Sequence, residues 1–66
     1  MKLTVNRKEI DYEGEPTVAA FAVLRALPES GVAIAVNGDV LPHDDWPRAQ
    51  LQEGDEIEVV HAMAGG

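Results

Sequence analysis

Cysteine is absent from these 66 residues, and the aromatic residues amount to one Phe, one Trp and one Tyr. Without cysteine there is no disulfide framework and no thiolate-held structural metal, so apolar packing alone must hold the fold. The chain has no thiol chemistry of its own, although a partner can supply a thiol. Basic residues are scarce. Five Lys and Arg stand against twelve Asp and Glu, a formal net charge of -7 that repels phosphate backbones and anionic lipid surfaces. Neither nucleic acid nor membrane is expected as a partner. Long apolar runs are missing too: Pro16 to Leu24, as long an uncharged stretch as the sequence contains, is far short of the roughly 20 residues that span a bilayer. No signal-peptide core follows the basic start Met1-Lys2, and a cytoplasmic protein is expected. The phosphate-cradling patterns GxxxxGK[ST] and GxGxxG and the metal pattern HExxH do not occur, and the one serine, Ser30, stands in no nucleophile motif. Catalysis by this chain alone is not expected, nor is a bound cofactor.

What remains is ordinary globular material, 45% hydrophobic and 26% charged, too apolar for disorder. The length allows one domain, spanning 1–66, which would bury only about 60% of the surface its unfolded chain exposes.

Leu3-Thr4-Val5 and Ile10-Asp11-Tyr12 alternate apolar and polar around the polar cluster Asn6-Arg7-Lys8-Glu9, the pattern of an N-terminal β-hairpin. After Gly14-Glu15-Pro16, Thr17 stands where a helix N-cap would, and a helix is expected from about Val18 to near Leu27, where Pro28 stops it. At 100° per residue Phe21, Leu24, Ala20 and Leu27 share one side with Val18 at its margin, while Ala19, Ala22, Arg25 and Ala26 face away. Gly31 is available for a positive φ in the exit loop. Val32–Val36 is a β-branched apolar run read as a buried strand, and Asn37-Gly38 is a strong hairpin signal leading to a short strand at Val40-Leu41, ended by Pro42. The stretch from His43 to Gly54 reads as irregular with one helical turn after Trp46-Pro47. Glu56-Ile57-Glu58-Val59 then alternates as a strand that Val60 to Met63 can extend.

The order is ββαβ(β)β. One helix cannot cover both faces of a sheet, so it is expected on one face of a curved mixed sheet of four to five strands, in the α+β class, with the first and last strands parallel at the centre. This is the layout of the β-grasp, the ubiquitin-like fold.

The sequence closes on Ala62-Met63-Ala64-Gly65-Gly66 directly behind the last strand. Its last charged side chain is Glu58; beyond it the residues shrink toward a terminal carboxylate with no side chain beside it. A tail from about 62 to 66, fully extended, reaches roughly 17 Å, long enough to enter a narrow cleft in another protein. A free α-carboxylate is a poor electrophile and must be activated, for which nucleotidyl transfer serves: the carboxylate attacks a phosphorus of ATP, and a sulfur nucleophile can displace the resulting acyl adenylate. Glycine leaves that approach unobstructed. The plainer reading, a frayed end, stands beside it on the tail alone. Glu53, Asp55, Glu56 and Glu58 gather before the tail, either as a solvated face or as an acidic patch that steers a basic groove onto the terminus. His43 and His61, near Asp44 and Asp45, read as surface or strand-end residues rather than metal ligands. Trp46 reads as a cap on one end of the core rather than a binding spot.

Several segments carry a family likeness in order: Val5-Asn6 after the first strand, Pro16–Ala19 opening the helix, Val32–Asn37 with Val40-Leu41-Pro42 and Trp46, Glu53–Glu58, and Ala64-Gly65-Gly66. Together they span nearly the whole chain. With them the sequence resembles the ThiS family of sulfur carriers in thiamin biosynthesis. It departs from that pattern at His43, where the family often has arginine, and in an alanine-rich helix. The resemblance implies that Gly66 is adenylated by a ThiF-like E1 adenylyltransferase using ATP and converted to a thiocarboxylate with sulfur derived from a cysteine desulfurase. The sulfur is then delivered to ThiG, thiazole synthase, for the thiazole ring. Ala64, Gly65 and Gly66 would enter partner active sites, with Met63, Glu56 and Glu58 as possible partner contacts. Two other readings remain: a MoaD-like carrier for molybdopterin synthesis, and a ubiquitin-like interaction domain whose diglycine is never activated.

Overall fold

The computed structural model describes residues 1–28 and 30–61. The expected hairpin forms from β1 (Lys2–Val5) and β2 (Lys8–Asp11), antiparallel with Leu3 opposite Ile10 and Val5 opposite Lys8. The connection is tighter than the four-residue polar cluster suggested. Asn6 and Arg7 alone make the turn, at φ 48 and 70, while Lys8 and Glu9 already belong to β2. Two consecutive positive φ values match the right-handed strand twist, and asparagine tolerates that region better than most residues; arginine in the second place gives no such signal in a sequence.

Thr17 caps helix α1 (Val18–Leu24) as expected, its hydroxyl accepting from Ala20 N at 3.1 Å. The helix ends earlier than Leu27. Ala26 adopts φ 55, and paired bonds from Ala26 N to Val23 O and Leu27 N to Ala22 O, both 3.0 Å, close the end as a Schellman motif. The chain thus leaves helical geometry before Pro28 can force it to. The buried face also differs from the expected one, turned by roughly a third of the circumference. Val18, Phe21 and Ala22 are buried, Ala22 at 7% exposure, whereas Leu24 is 63% exposed. The i, i+3, i+4 set 18/21/22 faces the sheet, Arg25 lies over the Phe21 ring at 6.0 Å, and the reversed turn at Ala26, not the helix face, brings Leu27 against the core. Ala19 is half-buried there too, and Ala26 is exposed as expected.

Past Gly31, at φ 79, β3 (Val32–Val36) alternates: Val32, Ile34 and Val36 pack inward, and Ala33 and Ala35 lie on the opposite side. Asn37 and Gly38, at φ 50 and 88, turn the chain into β4 (Asp39–Leu41). A 3-10 turn, η1 (His43–Asp45), opened by Pro42 O accepting from Asp45 N, precedes Trp46, and hydrogen-bonded turns continue past Trp46-Pro47 to Ala49, whose N–H donates to Asp45 O. Trp46 is buried with its indole N–H donating to Leu41 O at 3.2 Å, so it caps the core as read from the sequence. β5 (Glu56–His61) completes one sheet in the order β2-β1-β5-β3-β4. It runs parallel to β1, with Thr4 beside Glu56 and Val5 beside Ile57, and antiparallel to β3. Leu3, Val5, Ile34 and Ile57 from the sheet and Val18 and Phe21 from the helix form one core with Tyr12, Trp46 and Leu51.

Candidate functional site

β5 is the last described element before the C-terminal residues, and its neighbours grip it on both sides. On the β3 side Asn37 N donates to Glu56 O at 2.7 Å and Asn37 Oδ1 accepts from Glu56 N at 3.0 Å. Asn37 Nδ2 also donates to the Asp55 carboxylate at 3.1 Å, which in turn accepts from Gln52 N at 2.8 Å. On the β1 side Asn6 N donates to Ile57 O at 2.9 Å, and the Asn6 side chain bonds both backbone groups of Val59. The strand is thus held on both edges to within two residues of its end.

The sequence cluster Glu53, Asp55, Glu56, Glu58 separates into two roles. Asp55 is spent on the turn, and Glu53 accepts from Lys2 N at 2.9 Å. Glu56 and Glu58 lie on the sheet face away from the helix, exposed, and among the described residues neither joins an ion pair. With Thr4, Arg7, Gly38 and Ile57 they line a shallow cleft of about 220 Å³. Beside them the same face turns apolar: Ala33 stands opposite Val60 and Ala35 opposite Val40, and Val40 and Val60 are 69% and 60% exposed. This apolar strip was not expected from the sequence. Its signal was the large-small alternation in Val32–Val36, which puts alanine on one side of the strand and leaves room over the neighbouring valines.

Met63, Ala64, Gly65 and Gly66 lie outside the described residues, so the reading of the tail from about 62 to 66 rests on sequence. His61 is exposed at the end of β5, and His43 stacks on the Trp46 ring with centroids 4.2 Å apart. Among the described residues no three His, Asp or Glu side chains come together as a metal site, and no helix is long and apolar enough to cross a membrane. The Tyr12 hydroxyl, donating to Glu15 O at 2.6 Å, has its pKa raised by burial and secondarily by the Glu15 charge. Lys2 is raised by its hydrogen bond and charge interaction with Asp11, in full solvent. Neither group borders the acidic cleft.

A single helix on a five-stranded mixed sheet, with the first and last strands parallel at its centre, defines a ubiquitin-like β-grasp domain. The family model of the ThiS family matches residues 2–66, and the chain belongs to that family. It is 34% identical over 38 residues, 58% of each chain, to the sulfur carrier protein ThiS of Escherichia coli. All 66 residues align at 27% identity with 20% of a thiazole synthase from Paramagnetospirillum magneticum. The chain therefore spans about three-fifths of the first relative's length and a fifth of the second's. Its fold superposes on the crystal structure of a thiamine biosynthesis protein (ThiS) from Geobacter metallireducens with a TM-score of 0.85 at 28% identity, covering both chains completely. The solution structure of a Geobacter metallireducens thiamine biosynthesis protein gives 0.74 at the same identity, with 88% of that chain covered.

Proposed function

We propose that this protein is a sulfur carrier of thiamin biosynthesis, a co-substrate on which partner enzymes act. The observation that carries the reading is the family match reaching through Gly66, behind a strand held on both edges. In the first step the Gly66 carboxylate attacks a phosphorus of ATP on a ThiF-like E1 adenylyltransferase, forming the acyl adenylate and releasing pyrophosphate. A persulfide formed through a cysteine desulfurase then displaces AMP to give an acyl disulfide at Gly66, and a partner thiol attacks the S–S bond, leaving the C-terminal thiocarboxylate and a disulfide on the partner. The thiocarboxylate delivers its sulfur to ThiG, thiazole synthase, without release of free sulfide. A relative named thiazole synthase that contains a stretch similar to this whole chain supports that recipient.

Ala64, Gly65 and Gly66 are the residues that enter the partners' channels. Glycine at the last position leaves the carbonyl carbon open to in-line attack, and ATP is bound by the partner. Glu56 and Glu58, exposed on the open sheet face and in no ion pair among the described residues, steer a basic rim toward the terminus, and Met63 contacts the channel mouth. Deleting Gly66 tests the reading: the truncated chain is expected to keep its fold and to accept no sulfur. Loss of fold on that deletion, or continued sulfur transfer, contradicts it. Delivery of sulfur to a molybdopterin synthase large subunit in preference to thiazole synthase would reassign the pathway.

A further inference from the structure

β1 ends at Val5, yet β5 continues for four residues past Ile57, the partner of Val5. Thr4 N donates to Asp55 O and Asn6 N to Ile57 O, successive rungs of a parallel ladder. In an uninterrupted ladder the next rungs would run from Val59 N to the backbone carbonyl of residue 6 and from the N–H of residue 8 to Val59 O. The reversal at Asn6, φ 48, takes both backbone groups away. The Asn6 side chain supplies them instead: Oδ1 accepts from Val59 N at 2.8 Å, and Nδ2 donates to Val59 O at 3.3 Å. A primary amide matches a peptide unit in donor and acceptor, so it satisfies both groups at once; a carboxylate in its place would accept from the N–H and face the carbonyl with a second oxygen.

We infer that Asn6 is a positioning residue for the C-terminal tail: its amide extends the parallel pairing by one residue and fixes where β5 is released on its β1 edge, two residues before its last pairing with β3. This rests on the carrier reading for its functional consequence, though not for the structural one. Without the clamp, Val59 would join Val60 and His61 in being held from the β3 side alone, and more chain would have to be ordered whenever a partner takes the terminus.

The test uses the full chain with Asn6→Gly, which keeps the turn's positive φ, and Asn6→Asp, which keeps only the acceptor. Amide exchange at Val59 is expected to speed up about tenfold in Asn6→Gly and by less in Asn6→Asp, with Ile34 and Ile57 unchanged. With the variant fully folded by circular dichroism, KM for thiocarboxylate formation by a ThiF-like enzyme is expected to rise about fivefold with kcat held, because the added ordering falls on binding. Unchanged exchange at Val59, or faster exchange spread equally over the sheet, overturns the clamp. Faster exchange at Val59 with an unaltered KM overturns the positioning role. A wild-type chain that is not converted at all overturns the carrier reading and the functional role with it, while the exchange data separately decide the clamp.

Discussion

Val5 and Ile57 lie side by side in the parallel pair β1–β5, 52 positions apart in sequence, and both side chains are buried in the same core as Phe21. The pairing anchors the strand that carries the tail, through Ile57, at the centre of the sheet. Ile57→Ala is expected to cost about 2–5 kcal/mol, comparable to the whole stability of a domain this small, and Ile57→Val about 0.5–1.5 kcal/mol. Urea unfolding followed by circular dichroism measures both; an Ile57→Ala protein as stable as wild type would contradict the packing described.

Ala26 holds a left-handed conformation that ordinarily belongs to glycine in this helix-ending motif. Relieving the Cβ clash outweighs the extra freedom glycine gains when unfolded, so Ala26→Gly should stabilise by about 0.5–1 kcal/mol. A raised urea midpoint with an unchanged slope is the expected result.

Gly14 shows the opposite constraint. A Cβ there would crowd Leu24 Cδ1 and come within 2.6 Å of Tyr12 Oη, and Tyr12 cannot yield easily because it is buried with its hydroxyl bonded to Glu15 O. Leu24 is exposed and can swing aside. Gly14→Ala is therefore expected to destabilise by about 1–3 kcal/mol, and pairing it with Tyr12→Phe should recover part of that loss in the same unfolding assay.

Tyr12 also sets an alkaline limit. Its pKa is raised in the fold by burial first and the Glu15 charge second, so the folded state prefers the neutral phenol. That contribution is fully present below the unfolded value near 10 and is lost as pH rises through the higher folded value. Melting temperatures between pH 8 and pH 11 should fall more steeply for wild type than for Tyr12→Phe above about pH 10. Parallel curves would show that Tyr12 is not the responsible group.

The strand at Val32–Val36, the Asn37-Gly38 turn, the Thr17 cap and the parallel first and last strands were legible in the sequence because each rests on local chemistry or on a connection rule. The helix face was not. Seven residues give only two turns, so a small alanine at position 22 can face the sheet as readily as a leucine at 24, and which one does depends on what the sheet presents. Ala26 hid the helix end because no glycine marked it. The Asn6 clamp left a trace in the repeated Val-Asn pair at 5–6 and 36–37, but its bond to Val59 spans 53 residues and follows only from the parallel register. The acidic and apolar halves of the open face likewise emerge only when β5 is placed between β1 and β3.

The carrier role depends on the chemistry of one carboxyl group, that of Gly66. Incubating the full chain with a ThiF-like adenylyltransferase, ATP and a sulfur source, then measuring intact and C-terminal fragment masses, should show one oxygen replaced by sulfur, confined to Gly66. An unchanged mass, under conditions where the same enzyme converts its own carrier, would contradict it, as would sulfur found on any other residue.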